Sequence, residues 1–285
     1  MEQQNSEKPS NERVQYPSER QSWGLVGMFM LASIVATVAL IMPLTSWLEQ
    51  TTLTKDMQGS IIDAIGYMIP LGFVIWFGVR EKRKQATSWS FSFKNTSIVV
   101  FGLLLVVTVG LSIVLEPMVE LIPMPDAIKK LFETLFKNTW LSFVLISLIG
   151  PVMEELLMRG IILDGLLNQL KPKQAILFSA LLFGLIHLNP WQFIPAFAIG
   201  LVLGWIYWQT QSLWPCIFIH ILNNTLSSVI VYFTKDPMVT TRKLAGNDIT
   251  YYLVFLCAAI LFAGGLWALD KYFNRSLGEH QATKS

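Results

Sequence analysis

Apolar residues occur along this 285-residue chain in long runs, separated by short polar segments. Most runs have the length that an α-helix needs to cross the hydrocarbon core of a bilayer, about 20 residues. This pattern predicts an all-α polytopic membrane protein with about eight transmembrane helices. The predicted spans are 23–47, 60–79, 97–116, 139–168, 174–189, 191–208, 214–233 and 250–269.

Two of these regions have features of their own. The run 139–168 is longer than one span needs, and Gly150-Pro151 predicts a kink within it, because proline removes a helical hydrogen bond. The polar residues that follow predict that its last turns leave the hydrocarbon. The run 191–208 carries small residues at a spacing of four, which predicts close packing against a neighbouring helix. These residues are Ala196, Gly200 and Gly204.

The composition agrees with this pattern and narrows the class of protein. Hydrophobic residues make up 53% of the chain and charged residues 14%, against about 25% charged residues in soluble domains. This balance excludes most soluble enzymes, nucleic-acid-binding proteins and disordered proteins. Cys216 and Cys257 lie far apart in apolar runs, so the sequence supports neither a disulfide framework nor a thiolate metal cluster.

The distribution of Lys and Arg predicts the orientation of the helices. The N-terminal tail, alternate loops and the C-terminus together carry thirteen basic residues, and the opposite set of segments carries seven. Basic residues are enriched on the cytoplasmic side of membrane proteins. Both termini are therefore predicted to be cytoplasmic, and the basic cluster Arg80–Lys84 contributes most to this prediction.

Ionisable residues inside membrane spans are costly unless they are paired or hydrated, so each one is a functional candidate. Here they are concentrated in a stretch of under seventy residues, and two of the three histidines of the chain are among them. This concentration is the main functional signal in the sequence. The residues are Glu154, Glu155, Arg159, Asp164, His187 and His220.

Helical spacing sorts these residues by face. Glu155 and Arg159 are four apart and can form an ion pair, whereas Glu154 is rotated by about 100° from Glu155. A turn at Lys171-Pro172-Lys173 makes an antiparallel hairpin in which Glu154 and His187 fall at similar depth. The spacing therefore predicts that a glutamate and a histidine face each other, in the cytoplasmic half of the bilayer.

Three short motifs carry a resemblance to a known family. Glu154-Glu155-Leu-Leu-Met-Arg159 resembles the EExxxR motif of the CAAX-protease and bacteriocin-processing (Abi) family of intramembrane endopeptidases. Phe183-Gly-Leu-Ile-His187 is similar to the FxxxH motif of that family, and His220-Ile-Leu-Asn-Asn224 to its HxxxN motif. All three motifs occur in family order, on predicted membrane helices, and they cover roughly residues 139–226.

The resemblance implies a peptidase that cleaves a membrane-associated protein or peptide. Glu154 is expected to activate a water molecule as general base, and His187 to position or polarise that water. His220 and Asn224 are expected to donate hydrogen bonds to the oxyanion. The Glu155–Arg159 pair is expected to support Glu154, and Phe183 to pack against His187.

The sequence leaves the question of a metal open. Glu154, His187 and His220 are candidate ligands for a divalent ion such as Zn²⁺, with a water in the open position. No HExxH motif is present, and the candidate ligands come from three helices. We expect the metal-independent form of the reaction, with a metal-dependent form as the alternative.

The predicted organisation of the chain follows these features. The expected partners are a membrane-associated substrate and the lipid bilayer, with no nucleic acid, in the plasma membrane of a bacterium. An amphipathic helix at about 126–137 is expected to lie on the outer membrane surface, as a connector or a lid. The predicted parts are a disordered cytoplasmic tail (1–22), N-terminal spans plus the interfacial helix (23–138), the catalytic core (139–233) and a C-terminal helix and tail (234–285).

Two other functions fit the same pattern. One is a non-enzymatic scaffold or regulator that keeps the fold and recruits another membrane protein. The other is a proton-coupled transporter, because Glu and His residues in membranes also relay protons. The sequence shows no inverted repeat and no matching pair of broken helices, which disfavours the transporter. The substrate, and whether it is prenylated, cannot be read from the motifs.

Overall fold

The structure is helical in the part of the chain that it describes. The computed structural model describes residues 14–135, 139–236 and 238–282, with side chains omitted for 131–135 and 276–282. The described residues form no strand, and their one β-type contact is an isolated antiparallel bridge between Phe93 and Ser212. The predicted all-α class is therefore confirmed.

The helices follow the predicted spans closely. Seven of the helices in the described segments are long and apolar enough to cross a membrane. The remaining predicted span, 174–189, falls on a shorter helix of 14 residues, about 21 Å long, so the number of crossings stays a prediction. The helices are α1 (Glu19–Leu48), α2 (Lys55–Gln85), α3 (Ile98–Glu120), α4 (Asp126–Leu135), α5 (Trp140–Leu167), α6 (Pro172–Leu185), α7 (Pro190–Thr210), α8 (Leu213–Thr234), α9 (Thr241–Ala245) and α10 (Asp248–Ala282).

Helix α5 lies at the centre of the bundle. Every residue from Leu157 to Leu163 is buried, so this part of α5 has neighbours on all sides. π-Helical turns occur at Leu145–Ile149 and Leu156–Leu163, before and after Gly150-Pro151. Such turns loosen the regular hydrogen-bond ladder and are frequent at functional sites. The kink predicted at Gly150-Pro151 stays a prediction, but the backbone is irregular on both sides of it.

Helices α6 and α7 pack closely through the small residues of α7. A side-chain carbon built on Gly200 would lie 3.1 Å from the Cα of Ala180, and one on Gly204 would lie 3.0 Å from Ile176. Side-chain carbons rarely come this close to a neighbour, so glycine at these two positions eases the approach of the helices. The predicted role of the small-residue stripe is confirmed, and the contact holds α6 in place beside the site described below.

The ordered part of the chain begins closer to the N-terminus than the sequence predicts. Residues 1–13 lie outside the described part, but residues 14–22 do not form the disordered tail that their polarity predicts. Val14 and Tyr16 are buried, and Asn168 at the end of α5 donates a hydrogen bond to the Val14 carbonyl at 2.9 Å. Burial, with Glu81 adding to it, raises the pKa of Tyr16 to about 12. The segment is fixed because α5 offers it hydrogen-bond donors and an apolar surface.

An ion pair inside the bundle joins α2 to α5. Lys82 is fully buried and donates to Asp164, which also accepts from Tyr207 at 3.2 Å and from the Trp89 indole. The sequence predicts a cytoplasmic place for the basic cluster that contains Lys82 and makes Asp164 one of the ionisable functional candidates. In the structure, Lys82 and Asp164 join α5 to two other helices. The predicted orientation of the helices stays a prediction.

The predicted amphipathic helix is present as α4, which begins at Asp126. Its described part carries Lys129, which pairs with Asp126 at 3.2 Å. The apolar residues predicted to face the membrane beyond position 130 lie outside the described side chains. Its place at the outer surface, like the division of the chain into four parts, stays a prediction.

The Lys82–Asp164 pair generates a stability prediction. Lys82→Met removes one partner of a buried pair, which we expect to lower the free energy of unfolding by about 3 kcal/mol. Lys82→Met combined with Asp164→Asn removes the uncompensated charge and recovers most of this loss. Lys84→Met is the control, because the side chain of Lys84 is more than half exposed where it pairs with Glu81. Thermal melting in detergent measures all three, and equal melting of the two Lys82 variants would contradict the expectation.

Candidate active site

Helix α5 presents two neighbouring glutamates with different surroundings. Glu155 and Arg159 are both fully buried, and Arg159 donates to Glu155 at 2.8 Å. Arg159 also donates to the Gly200 carbonyl on α7 at 3.1 Å, and its guanidinium lies 4.7 Å from the centre of the Phe183 ring. The predicted ion pair is therefore present, and it also connects α5 to α6 and α7.

His220 on α8 lies between the two glutamates. Its Nδ1 is 2.9 Å from Glu155 Oε1, and its Nε2 is 3.7 Å from Glu154 Oε2. A carboxylate paired with Arg can only accept hydrogen bonds, so the Nδ1 of His220 is the donor to Glu155. Nε2 is left facing Glu154. The sequence predicted that Glu154 and Glu155 point in different directions, and they reach opposite nitrogens of one ring.

Glu154 has a hydrogen-bond donor that sequence reasoning missed. The hydroxyl of Tyr67, on α2, donates to Glu154 Oε1. Tyr67 lies outside the three motifs, and only its place inside an apolar span made it unusual. The other oxygen, Glu154 Oε2, is buried without a hydrogen-bond partner among the described residues. Glu154 as a whole is 8% exposed, and this oxygen is enclosed within the site.

Phe183 connects the two histidines. Its ring meets His187 at 5.3 Å and His220 at 5.5 Å between ring centres, edge to face in both pairs. His187 lies just beyond the end of α6 and donates from Nδ1 to the Phe183 carbonyl at 2.9 Å. Among the described contacts, His187 forms no hydrogen bond to Glu154. The motif residues therefore gather around Phe183, which the sequence had assigned to packing against His187 alone.

Asn224 is held against the irregular part of α5. Its side-chain amide donates to the Ile146 carbonyl at 2.9 Å, within the first π-helical turn. Its oxygen accepts from Asn223, whose own oxygen accepts from Ser112 on α3. One of the two amide protons of Asn224 binds the Ile146 carbonyl, and the second remains for another acceptor. The amide is thus anchored one turn from His220.

The candidate metal ligands do not form a metal site in the described structure. Across residues 14–135, 139–236 and 238–282, no three His, Cys, Asp or Glu side chains are placed so that they could hold an ion. The Nδ1 of His220 and Oε1 of Glu154 already have hydrogen-bond partners. His187 contacts Phe183 instead. Glu154, His187 and His220 are thus not grouped around one point in the described structure, and the metal-independent reaction stays a prediction.

Part of the chain matches a known family of membrane proteins. Residues 136–226 match the family model described as type II CAAX prenyl endopeptidase Rce1-like. This segment contains all three motifs, and the resemblance stated from them is confirmed. The segment, less than half of the chain, is similar to the CAAX-protease and bacteriocin-processing family.

Two bacterial relatives agree with this assignment. YdiL of Bacillus subtilis (strain 168), whose name gives it as a candidate membrane peptidase, is 31% identical over 98 residues, 34% of this chain and 39% of YdiL. MroQ of Staphylococcus aureus (strain USA300), named as a membrane-embedded CAAX protease, is 26% identical over 182 residues, 61% of this chain and 69% of MroQ. The match thus covers well under half of the first relative. No solved structure matches the chain.

The buried Glu155–Arg159 pair generates a second stability prediction. Arg159→Met leaves Glu155 with His220 alone, and we expect it to lower the free energy of unfolding by about 3 to 5 kcal/mol. Arg242→Met is the matched control, since Arg242 forms an exposed pair with Asp248 that contributes little. Thermal melting in detergent compares the two. A melting temperature of Arg159→Met equal to that of the control would rule out the structural role of the pair.

Proposed function

We propose that this protein is an intramembrane endopeptidase that hydrolyses a peptide bond of a membrane-associated protein or peptide. One observation carries the proposal: Glu154 has a buried carboxylate oxygen without a hydrogen-bond partner among the described residues, 3.7 Å from His220 Nε2. An unpaired buried polar atom is costly and calls for an explanation. A reacting water molecule supplies one.

In this proposal the water lies beside Glu154 Oε2 and His220 Nε2, within hydrogen-bonding distance of both. As the water oxygen attacks the carbonyl carbon of the substrate, its proton moves to Glu154 Oε2. The C–N bond then breaks, and Glu154 returns the proton to the leaving nitrogen. The fixed orientation of the carboxyl group supports this assignment, since a general base acts only within hydrogen-bond reach of its proton.

The oxyanion needs donors, and two motif residues can provide them. Asn224 has an amide proton that the Ile146 carbonyl does not use, and the anchored amide requires little reorganisation. His220 serves as a donor whenever its Nε2 carries a proton. We assign His187, half-buried at the end of α6, to polarising the water or the substrate from the far side of Phe183.

The surroundings of the two glutamates support an enzyme over a scaffold. A scaffold of the same fold would be stabilised by pairing both carboxylates with cations. Here Glu155 is paired with Arg159, whereas the polar contacts of Glu154 among the described residues are to the uncharged hydroxyl of Tyr67 and to His220. The names of the matching family and of MroQ support a protease, and the bacterial relatives support a bacterial membrane. We place the site in the cytoplasmic half of the plasma membrane, from the distribution of Lys and Arg.

We further propose that the reaction needs no metal ion. The placement of the side chains supports this, because no three of the described His, Cys, Asp and Glu side chains are grouped so that they could hold an ion. If a divalent ion such as Zn²⁺ were bound, Glu154, His187 and His220 would have to rearrange. An ion in that place would polarise the substrate carbonyl or the water.

The central prediction concerns Glu154. Glu154→Gln keeps the size of the side chain but removes the base, so we expect loss of cleavage by at least about a hundredfold. Mass spectrometry of membrane peptides identifies the products, in deletion cells complemented with wild type or with the variant. Glu116→Gln is the matched control, a glutamate-to-glutamine change at the end of α3. Full cleavage by Glu154→Gln, at wild-type protein levels, would rule out the base assignment.

The metal question has a separate prediction. Exhaustive chelation of the purified protein is expected to leave both cleavage and melting temperature unchanged. Elemental analysis of the same sample should find less than one divalent ion for every ten chains. Loss of cleavage on chelation, with recovery on adding Zn²⁺, would replace the metal-independent reaction with the metal-dependent one.

A further inference from the structure

We propose that Tyr67 is a positioning residue of this site, which fixes Glu154 Oε1 so that Oε2 is the oxygen that meets the water. The inference rests on the proposed function for its catalytic part. Tyr67 lies on α2, outside the segment 136–226 that matches the family. Neither the motifs nor the family match therefore assigns it a role.

The position of Tyr67 is set by packing on two sides. Its ring meets Phe29 of α1 edge to face, with 6.1 Å between ring centres. On the other side lies Gly150, where an added side-chain carbon would be 3.8 Å from both the Tyr67 ring and Glu154 Oε1. The hydroxyl then donates to Glu154 Oε1. The ring is thus held by α1 and α5, and the hydrogen bond fixes the carboxyl group relative to both helices.

The chemistry of the donor explains why a tyrosine suits this place. A carboxyl group turns easily about its last bond, so either oxygen could face the water unless one is held. Arg or Lys would hold it but would also add a full positive charge next to the base. A tyrosine hydroxyl supplies one donor and no charge. Glu155 is held by the cation Arg159, which suits a supporting carboxylate. Glu154 is held by an uncharged hydroxyl, which suits a reacting one.

The test compares two Tyr→Phe changes in the full-length protein. Tyr67→Phe keeps the ring that packs on Phe29 and removes only the hydroxyl that holds Glu154. Tyr207→Phe is the matched control, because Tyr207 donates to Asp164 at 3.2 Å and has no described contact with Glu154. Three quantities are measured: the rate at which the product peptides of the wild type form, the melting temperature, and the rate of labelling of Glu154 by dicyclohexylcarbodiimide. Mass spectrometry quantifies the labelling.

The expected results separate positioning from stability. Tyr67→Phe should slow cleavage at least tenfold and should lower the melting temperature no more than Tyr207→Phe does. Labelling of Glu154 should be at least threefold faster, because Oε1 is released, while labelling of Glu155 stays at the wild-type rate. Tyr207→Phe should leave both cleavage and labelling unchanged.

The labelling makes the inference independent of whether a cleaved peptide is found. Faster labelling of Glu154 in Tyr67→Phe supports the positioning role even if wild-type cells release no product. The absence of product would defeat the proposed function but not the positioning role. Wild-type labelling of Glu154 in Tyr67→Phe overturns the positioning role. Faster labelling combined with undiminished cleavage also overturns it, since the hydrogen bond would then exist without serving the reaction.

Discussion

The buried charges of α5 are the constraint on which the rest of the bundle depends. Glu155 and Arg159 are fully buried in a helix surrounded by apolar neighbours, and charges in such a place must be paired and hydrogen-bonded. Arg159 meets most of this need with Glu155, the Gly200 carbonyl and the Phe183 ring. Its Nε and the second oxygen of Glu155 have no hydrogen-bond partner among the described residues. The contacts of Arg159 reach α6 and α7, and His220 brings α8 to the same point. Satisfying one ion pair therefore brings four helices together at one place.

The same constraint separates the two glutamates of the motif. Glu155 is bound by a cation and is saturated on one oxygen by two donors. Within the described segments, the polar neighbours of Glu154, one residue earlier, are an uncharged tyrosine hydroxyl and a histidine at 3.7 Å. A carboxylate left without a cation in a buried site can take a proton during a reaction, whereas a paired one resists it. A structural and a reacting carboxylate can thus stand side by side in one sequence motif.

Irregular backbone accompanies this arrangement. The π-helical turns of α5 lie on both sides of Glu154 and Glu155, and Asn224 donates to the Ile146 carbonyl in the first of them. Gly150 lies beside the Tyr67 ring and the Glu154 carboxyl group. At the far end of α5, the Lys82–Asp164 pair and the segment from Val14 fix the helix to its neighbours. The helix that carries Glu154 and Glu155 is therefore held before, at and after these two residues.

The sequence by itself determined the helices, the Glu155–Arg159 pair, the small-residue contact of α7 and the resemblance to a family. These features follow from the local spacing of residues and from the high energy of polar groups in a membrane, and both can be read from the sequence. Only the tertiary structure decided that Tyr67 holds Glu154, that Phe183 joins both histidines, that Lys82 is buried against Asp164 and that residues from Val14 onward are ordered. Each of these contacts joins helices far apart in sequence. The residues that meet depend on how each packed helix is rotated and on how deep it lies. The spacing of residues along the chain specifies neither.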